Sequence, residues 1–160
     1  MDIYPTQEEQ KFELIAKTPI NSFFAALREV VSMEKPGKKT RDVKFFSEKN
    51  QSMMLVHSEE ARAYSKYLES REEVDTYEVR KPLDVGRLKT VARTDIRGDY
   101  FEQEWTTDFY IKHCDGTIAV REVIRSSDLE KRADVEKLEL SRRYWVLLGV
   151  TDWKVVTFEK

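Results

Sequence analysis

Two acids stand on what the sequence reads as the two arms of one β-hairpin. Asp108 lies in "WTTDFYIKH" and Glu122 in "TIAVREVIR", and Asp115-Gly116 falls between them. Whether they meet depends on the turn. A two-residue loop of Asp115-Gly116 pairs Cys114 with Thr117 and sets Asp108 opposite Val123. A three-residue loop, Cys114-Asp115-Gly116, puts glycine at the left-handed position of a G1 bulge and pairs Asp108 with Glu122. Directly opposed residues hold their Cβ atoms about 4.5–5.5 Å apart on one face. Two carboxylates that close repel unless a cation lies between them. The second register therefore implies a metal, and hard oxygen ligands suit Mg2+ or Mn2+. The first register implies none, and both are compatible with the sequence. Glu60 adds a third carboxylate at the start of a helix. Three acids converging at one sheet end are a common plan for metal-assisted phosphodiester hydrolysis, in which the metal polarises the phosphate and activates water while a lysine neutralises developing charge.

The elements that must position these acids follow from pattern. Ser58 caps a helix running from Glu59 to about Ser70, on which Glu60, Tyr64, Tyr67 and Leu68 share one stripe. Before it, "DVKFFSEKNQSMMLV" reads as a hairpin turning near Glu48–Asn50. After it come a strand, "VDTYEVRKPL", an irregular basic segment, "GRLKTVARTDIRGDY", and the hairpin of residues 105–125. Ser127 and Glu130 have capping-box spacing for a long helix to Leu148, closed by Gly149, with Leu138, Ser141, Trp145 and Leu148 along one stripe. Trp145 and Leu148 are expected in the core. "DWKVVTF" is a closing strand. Nearer the N-terminus, helices are expected over residues 6–17 and from Pro19 to Met33, the second with Phe23, Phe24, Leu27 and Val30–Val31 buried. The order implies an α/β fold, a central mixed sheet flanked by helices with an N-terminal helical extension.

Composition limits the classes open to the chain. At 160 residues it is expected to be one domain with a core of its own. Twenty-eight basic residues against thirty acidic give a net charge of −2, so only local clusters can speak for nucleic acid. A single cysteine, Cys114, excludes an internal disulfide and fits a reducing compartment, with the cytoplasm as the expected location. The two histidines, His57 and His113, are too few for a zinc cage by themselves and are expected at the surface or in turns. No apolar run reaches membrane-spanning length, and the N-terminus is not a signal peptide.

The strings "TTDFYI", "AVREV" and, above all, "EKLELSRRYW" resemble the N-terminal catalytic domain of TnsA, the endonuclease subunit of heteromeric cut-and-paste transposases. The likeness covers about residues 41–158. It implies a restriction-endonuclease-like core over residues 41–160, preceded by the helical extension and basic loop of residues 1–40. It also implies a Mg2+-dependent cut at the 5′ ends of a transposon. Matched residue by residue, the helix acid of that family falls on Glu60, or on Glu59 with a register slip. The aspartate falls on Asp108 and the strand acid on Glu122, so that Asp108, Glu122 and Glu60 are the expected metal ligands. The lysine of the family motif falls on Ile124. A relocated cation is then expected from Lys66, Lys131 or Arg125, although strand alternation turns Arg125, like Arg121, away from Glu122. The second, C-terminal helical domain of the family is not expected within these residues.

Two clusters could hold DNA phosphates: Lys35, Lys38, Lys39, Arg41 and Lys44, and farther on Arg87, Lys89, Arg93 and Arg97. Each could equally be a solvated loop. Neither has a helix-turn-helix or zinc-finger signature, so site choice is expected from a partner such as a transposase or another mobile-element protein. A homo-oligomer is compatible with the sequence. The expected function is a metal-dependent endonuclease acting on double-stranded DNA. The alternative is a catalytically silent DNA-binding or assembly protein of mobile-element or phage origin that kept the nuclease fold, and Ile124 is its main support.

Overall fold

The computed structural model describes residues 27–32 and 41–159. The helix expected over residues 6–17, most of the helix from Pro19, and Lys35, Lys38 and Lys39 lie outside the described residues. Seven strands are seen among those described: β1 (Arg28–Ser32), β2 (Val43–Ser47), β3 (Ser52–Val56), β4 (Val74–Pro82), β5 (Thr106–His113), β6 (Ile118–Val123) and β7 (Asp152–Glu159). With them are the helices α1 (Glu59–Ser70), α2 (Val85–Leu88) and α3 (Arg132–Leu147). Short 3-10 turns occupy Gly98–Glu102 and Ser126–Glu130. The five-stranded sheet has the order β1-β7-β6-β5-β4, with β1, β7 and β6 parallel and β6, β5 and β4 antiparallel. The fold is therefore α/β with a mixed sheet flanked by helices, and β2 and β3 form a separate hairpin.

Strand alternation divides the core. Phe109, Ile111, Ala119 and Val156 pack under α1 with Tyr64, Leu68, Phe45 and Tyr77. Val120, Trp153 and Val155 face the other way, onto Leu138, Tyr144 and Trp145 of α3 and onto Leu88, Tyr100 and Phe101 of the irregular segment. α1 begins where expected: Ser58 Oγ accepts the Ala61 N–H at 3.0 Å. α3 ends in a Schellman turn, with Gly149 at φ +84° and bonds from Gly149 N–H to Val146 and from Val150 N–H to Trp145.

Three expectations need correction. Residues 28–32 are a strand, not the end of a helix. Their apolar spacing fits a helix turn, but Val30 and Val31 are β-branched and β7 offers them a parallel ladder, so tertiary pairing overrides the local pattern. The boundary at residue 40 accordingly cuts off part of the sheet. The Ser127–Glu130 capping box does not form; Ser126–Glu130 is a 3-10 turn, and α3 starts at Arg132 without a side-chain cap. Trp145 is in the core, but Leu148 lies past the last turn and is 38% exposed.

β1 is tied in by charge as well as by its ladder. The Arg121 side chain, buried on the α1 face of β6, reaches Glu29 Oε2 and Asp152 Oδ1, each at 2.8 Å. Arg121→Met is expected to cost about 2–4 kcal/mol, because two carboxylates lose their buried counter-ion. A urea unfolding midpoint measures it; a change below about 1 kcal/mol would show the pair to be dispensable. No helix among the described residues is long and apolar enough to cross a membrane.

Candidate active site

The hairpin adopts the three-residue turn. His113 N–H donates to Thr117 O at 2.9 Å, Gly116 N–H donates to His113 O at 3.0 Å, and Gly116 sits at φ +87°. Asp115 Oδ1 accepts both the amide and the hydroxyl of Thr117, which holds the Asp115 carboxyl below its usual range. His113 and Cys114 are turn residues, as expected. The ladder runs from Lys112↔Ile118 to Phe109↔Arg121, which brings Asp108 to Glu122 at the next step.

There the strands stop exchanging backbone bonds and the two carboxylates take over. Asp108 N–H donates to Glu122 Oε1 at 2.7 Å, and Val123 N–H donates to Asp108 Oδ2 at 2.8 Å. Each acid thus caps an amide of the opposite strand. These amides offset part of the repulsion expected of the pair, but burial outweighs them. Burial pushes the Asp108 carboxyl up to about 6, against the opposing pull of the Val123 amide and of His57. Glu122 is raised well above the usual carboxylate range, first by burial and then by the charge of Asp108. Burial and the mutual repulsion of the two acids thus both favour the uncharged form.

Two hydroxyls complete the floor beside Glu122. Trp145 Nε1 donates to Thr107 Oγ1 at 2.7 Å and Trp153 Nε1 donates to Ser141 Oγ at 3.1 Å, with the hydroxyls 3.5 Å apart. An indole can only donate, so the hydroxyl protons are left for other acceptors, and both hydroxyls help hold the charge of Glu122. Neither residue was expected in the site. Their signals were the second threonine of "TTDF" and the lone polar residue of the α3 stripe.

Asp108 and Glu122 open into a cleft of about 320 Å³ whose walls include Glu60, Ile124, Arg125, Lys137 and Ser141. Glu60 is 7% exposed in the first turn of α1, and its Oε1 lies 3.4 Å from Arg125 Nε. The third acid therefore shares the cleft but turns to a guanidinium. Among the described residues no three His, Cys, Asp or Glu side chains are gathered closely enough to hold a metal ion. Ile124 lines the cleft and packs against the α3-side core, while its N–H donates to Val156 O at 3.0 Å.

The expected cations are redistributed. Arg125 does reach the cleft, because β6 ends at Val123 and the chain turns into the 3-10 segment, so strand alternation no longer governs it. Lys66 is exposed on α1 and does not line the cleft. Lys131 pairs with Asp128 at 2.8 Å. Lys137, absent from the sequence-based candidates, stands on the wall, with its ammonium 5.5 Å from the Trp105 ring centroid. On the α1 side of Asp108, His57 lines a smaller cavity of about 200 Å³ together with Arg80. The His57 side chain is 44% exposed, in keeping with a surface residue, and its ring contacts Asp42. Arg41 pairs with Glu59 at 2.7 Å and Lys44 is exposed on β2. Of the second basic cluster, Arg97 is held by Glu136 at 2.7 Å and Lys89 lies 3.8 Å from Glu102, while Arg93 covers the Phe101 ring.

No protein-family model matches the chain, and no curated protein matches it. The likeness to TnsA therefore rests on the quoted strings.

Proposed function

We propose that the chain is a divalent-cation-dependent DNA endonuclease with a restriction-endonuclease-like fold, similar in plan to the TnsA catalytic domain. The observation that carries this reading is the meeting of Asp108 and Glu122 at the splayed end of β5 and β6, on the floor of an open cleft. Mg2+ or Mn2+ fits the donor set. Both residues offer hard oxygens, each keeps a second oxygen beyond the one bonded to an amide, and Mg2+ is commonly held by one or two carboxylates plus substrate phosphates. When bound, the ion would supply Lewis-acid polarisation of the phosphate and activation of water.

The residues of the chain do the rest. Asp108 and Glu122 hold the ion, and the Thr107 and Ser141 hydroxyls fix the Glu122 carboxylate. Arg125 neutralises Glu60, which leaves Glu60 as a reserve acid and not a resident ligand. Lys44 is exposed and suited to DNA phosphates, whereas Arg41 is held by Glu59. Site choice would come from a partner protein of the same mobile element.

The test is nicking of a supercoiled plasmid with Mg2+ or Mn2+, alongside calorimetric Mn2+ binding. Glu122→Gln is expected to lower nicking by about 100-fold or more and to weaken Mn2+ binding by about tenfold or more. The silent DNA-binding reading keeps a specific support, since Ile124 fills the motif position with apolar packing. It would prevail if wild type nicked no DNA with either metal and bound DNA equally well with chelator.

A further inference from the structure

We infer that Lys137 is the phosphate-contacting cation of this cleft, taking from helix α3 the part that Ile124 leaves vacant on β6. The inference rests on the nuclease reading above. In hydrolysis a water oxygen forms a new bond to phosphorus, the P–O bond to one deoxyribose breaks, and the water proton ends on the leaving oxygen. Negative charge grows on the non-bridging oxygens meanwhile, and a preorganised donor aimed at them lowers the barrier. The described walls of the cleft supply two basic side chains, Arg125 and Lys137. Arg125 is engaged with Glu60.

Lys137 is placed differently. It is exposed, and among the described residues no carboxylate lies within salt-bridge distance of it. Its ammonium lies 5.5 Å from the Trp105 centroid and 5.9 Å from that of Tyr100, and Trp105 is fixed by donating from Nε1 to Tyr100 O at 2.7 Å. Rings hold a cation without neutralising it. Lys137 also precedes Ser141 by four residues, so both rise from one face of α3. The helix that sets a hydroxyl beside Glu122 thus carries a positive charge one turn away on the cleft wall.

The experiment compares wild type, Lys137→Met and Lys137→Arg in plasmid nicking, with Mn2+ binding and DNA affinity measured for each. Methionine keeps an apolar stem against Trp105, and arginine keeps the charge. Lys137→Met is expected to lower kcat by about 100- to 1,000-fold with KM within about threefold and Mn2+ binding unchanged. Lys137→Arg should retain activity to within about tenfold, since it restores a donor with different geometry. Nicking by Lys137→Met at the wild-type rate overturns the assignment and leaves the nuclease reading intact. So does a loss confined to KM, which makes Lys137 a DNA anchor only. A wild type that binds Mn2+ but cuts nothing overturns both.

Discussion

Asp108→Asn is expected to end cleavage and, at the same time, to make the protein melt higher. The loss of activity follows from removing one of the two carboxylates that would hold the ion, and about 1,000-fold or more in nicking rate is expected. The gain in stability follows from burial. Asparagine still offers an oxygen to the Val123 N–H, now bonded at 2.8 Å, so the splayed hairpin end keeps its geometry. What goes is the cost of ionising a carboxyl that burial holds at about 6, against an ordinary value of 3.8. Because the folded value is raised, the associated stabilisation is complete below about pH 4 and lost as pH rises through about 6. Near neutral pH the wild type therefore bears a penalty on the order of 2–3 kcal/mol that the variant escapes. In a domain of this size that is roughly 5–10 °C in Tm. Thermal melts at about pH 7.5 and about pH 4 test the sign: the difference should be large at the first and vanish at the second. A lower Tm for the variant at neutral pH would contradict the account. Mn2+ should raise the wild-type Tm near neutral pH and leave that of the variant where it was.

Glu139→Gln is expected to have the largest destabilising effect, about 3–5 kcal/mol, although it lies outside the cleft. Glu139, Arg142 and Arg143 are all buried on α3, at 8%, 4% and 9% exposure. Glu139 accepts from Arg142 Nε and Nη2 at 2.9 and 2.5 Å, and from Arg143 Nε at 2.8 Å. Arg143 in turn donates to Ala92 O at 2.8 Å and Thr94 O at 2.7 Å, which holds the irregular segment before β5 against the helix. Glutamine keeps the shape but removes the carboxylate charge that both buried guanidiniums share. The exposed Lys131–Asp128 pair, broken in the same way, should move the urea midpoint by less than about 1 kcal/mol. If the two variants unfold alike, the buried cluster is not the clamp it is taken for.

These charges explain why the string "EKLELSRRYW" stands out in the sequence. It serves two ends at once: Glu139, Arg142 and Arg143 are structural, whereas Lys137 and Ser141 face the cleft. Periodicity exposed the α1 stripe and, with it, the placement of Glu60, because helix spacing is local. The hairpin register could not be read, since either turn suits Asp115-Gly116. A third strand biases it, through the bond from Cys114 N–H to Glu73 O at 2.9 Å beside β4. β1 is hidden in the sequence for a similar reason: its pairing partner is at the far end of the described chain. Lys137 has no such signal, because its offset from Glu122 and Glu60 matches no motif spacing and α3 returns over the strand end from elsewhere.

The parallel pairing of β1 with β7 has a temporal consequence. A ribosome releases residues 28–32 long before residues 152–159, and β7 is also the strand that separates β1 from β6. Until it emerges, β1 has no strand to pair with and β6 is an edge, so Val120 and Glu122 lack the neighbour that flanks them. Loop-closure entropy makes such distant pairings late events in folding. The sheet beneath the acid pair is thus completed only once β7 has been made, whereas the bonds that join Asp108 to Glu122 and Val123 need only β5 and β6.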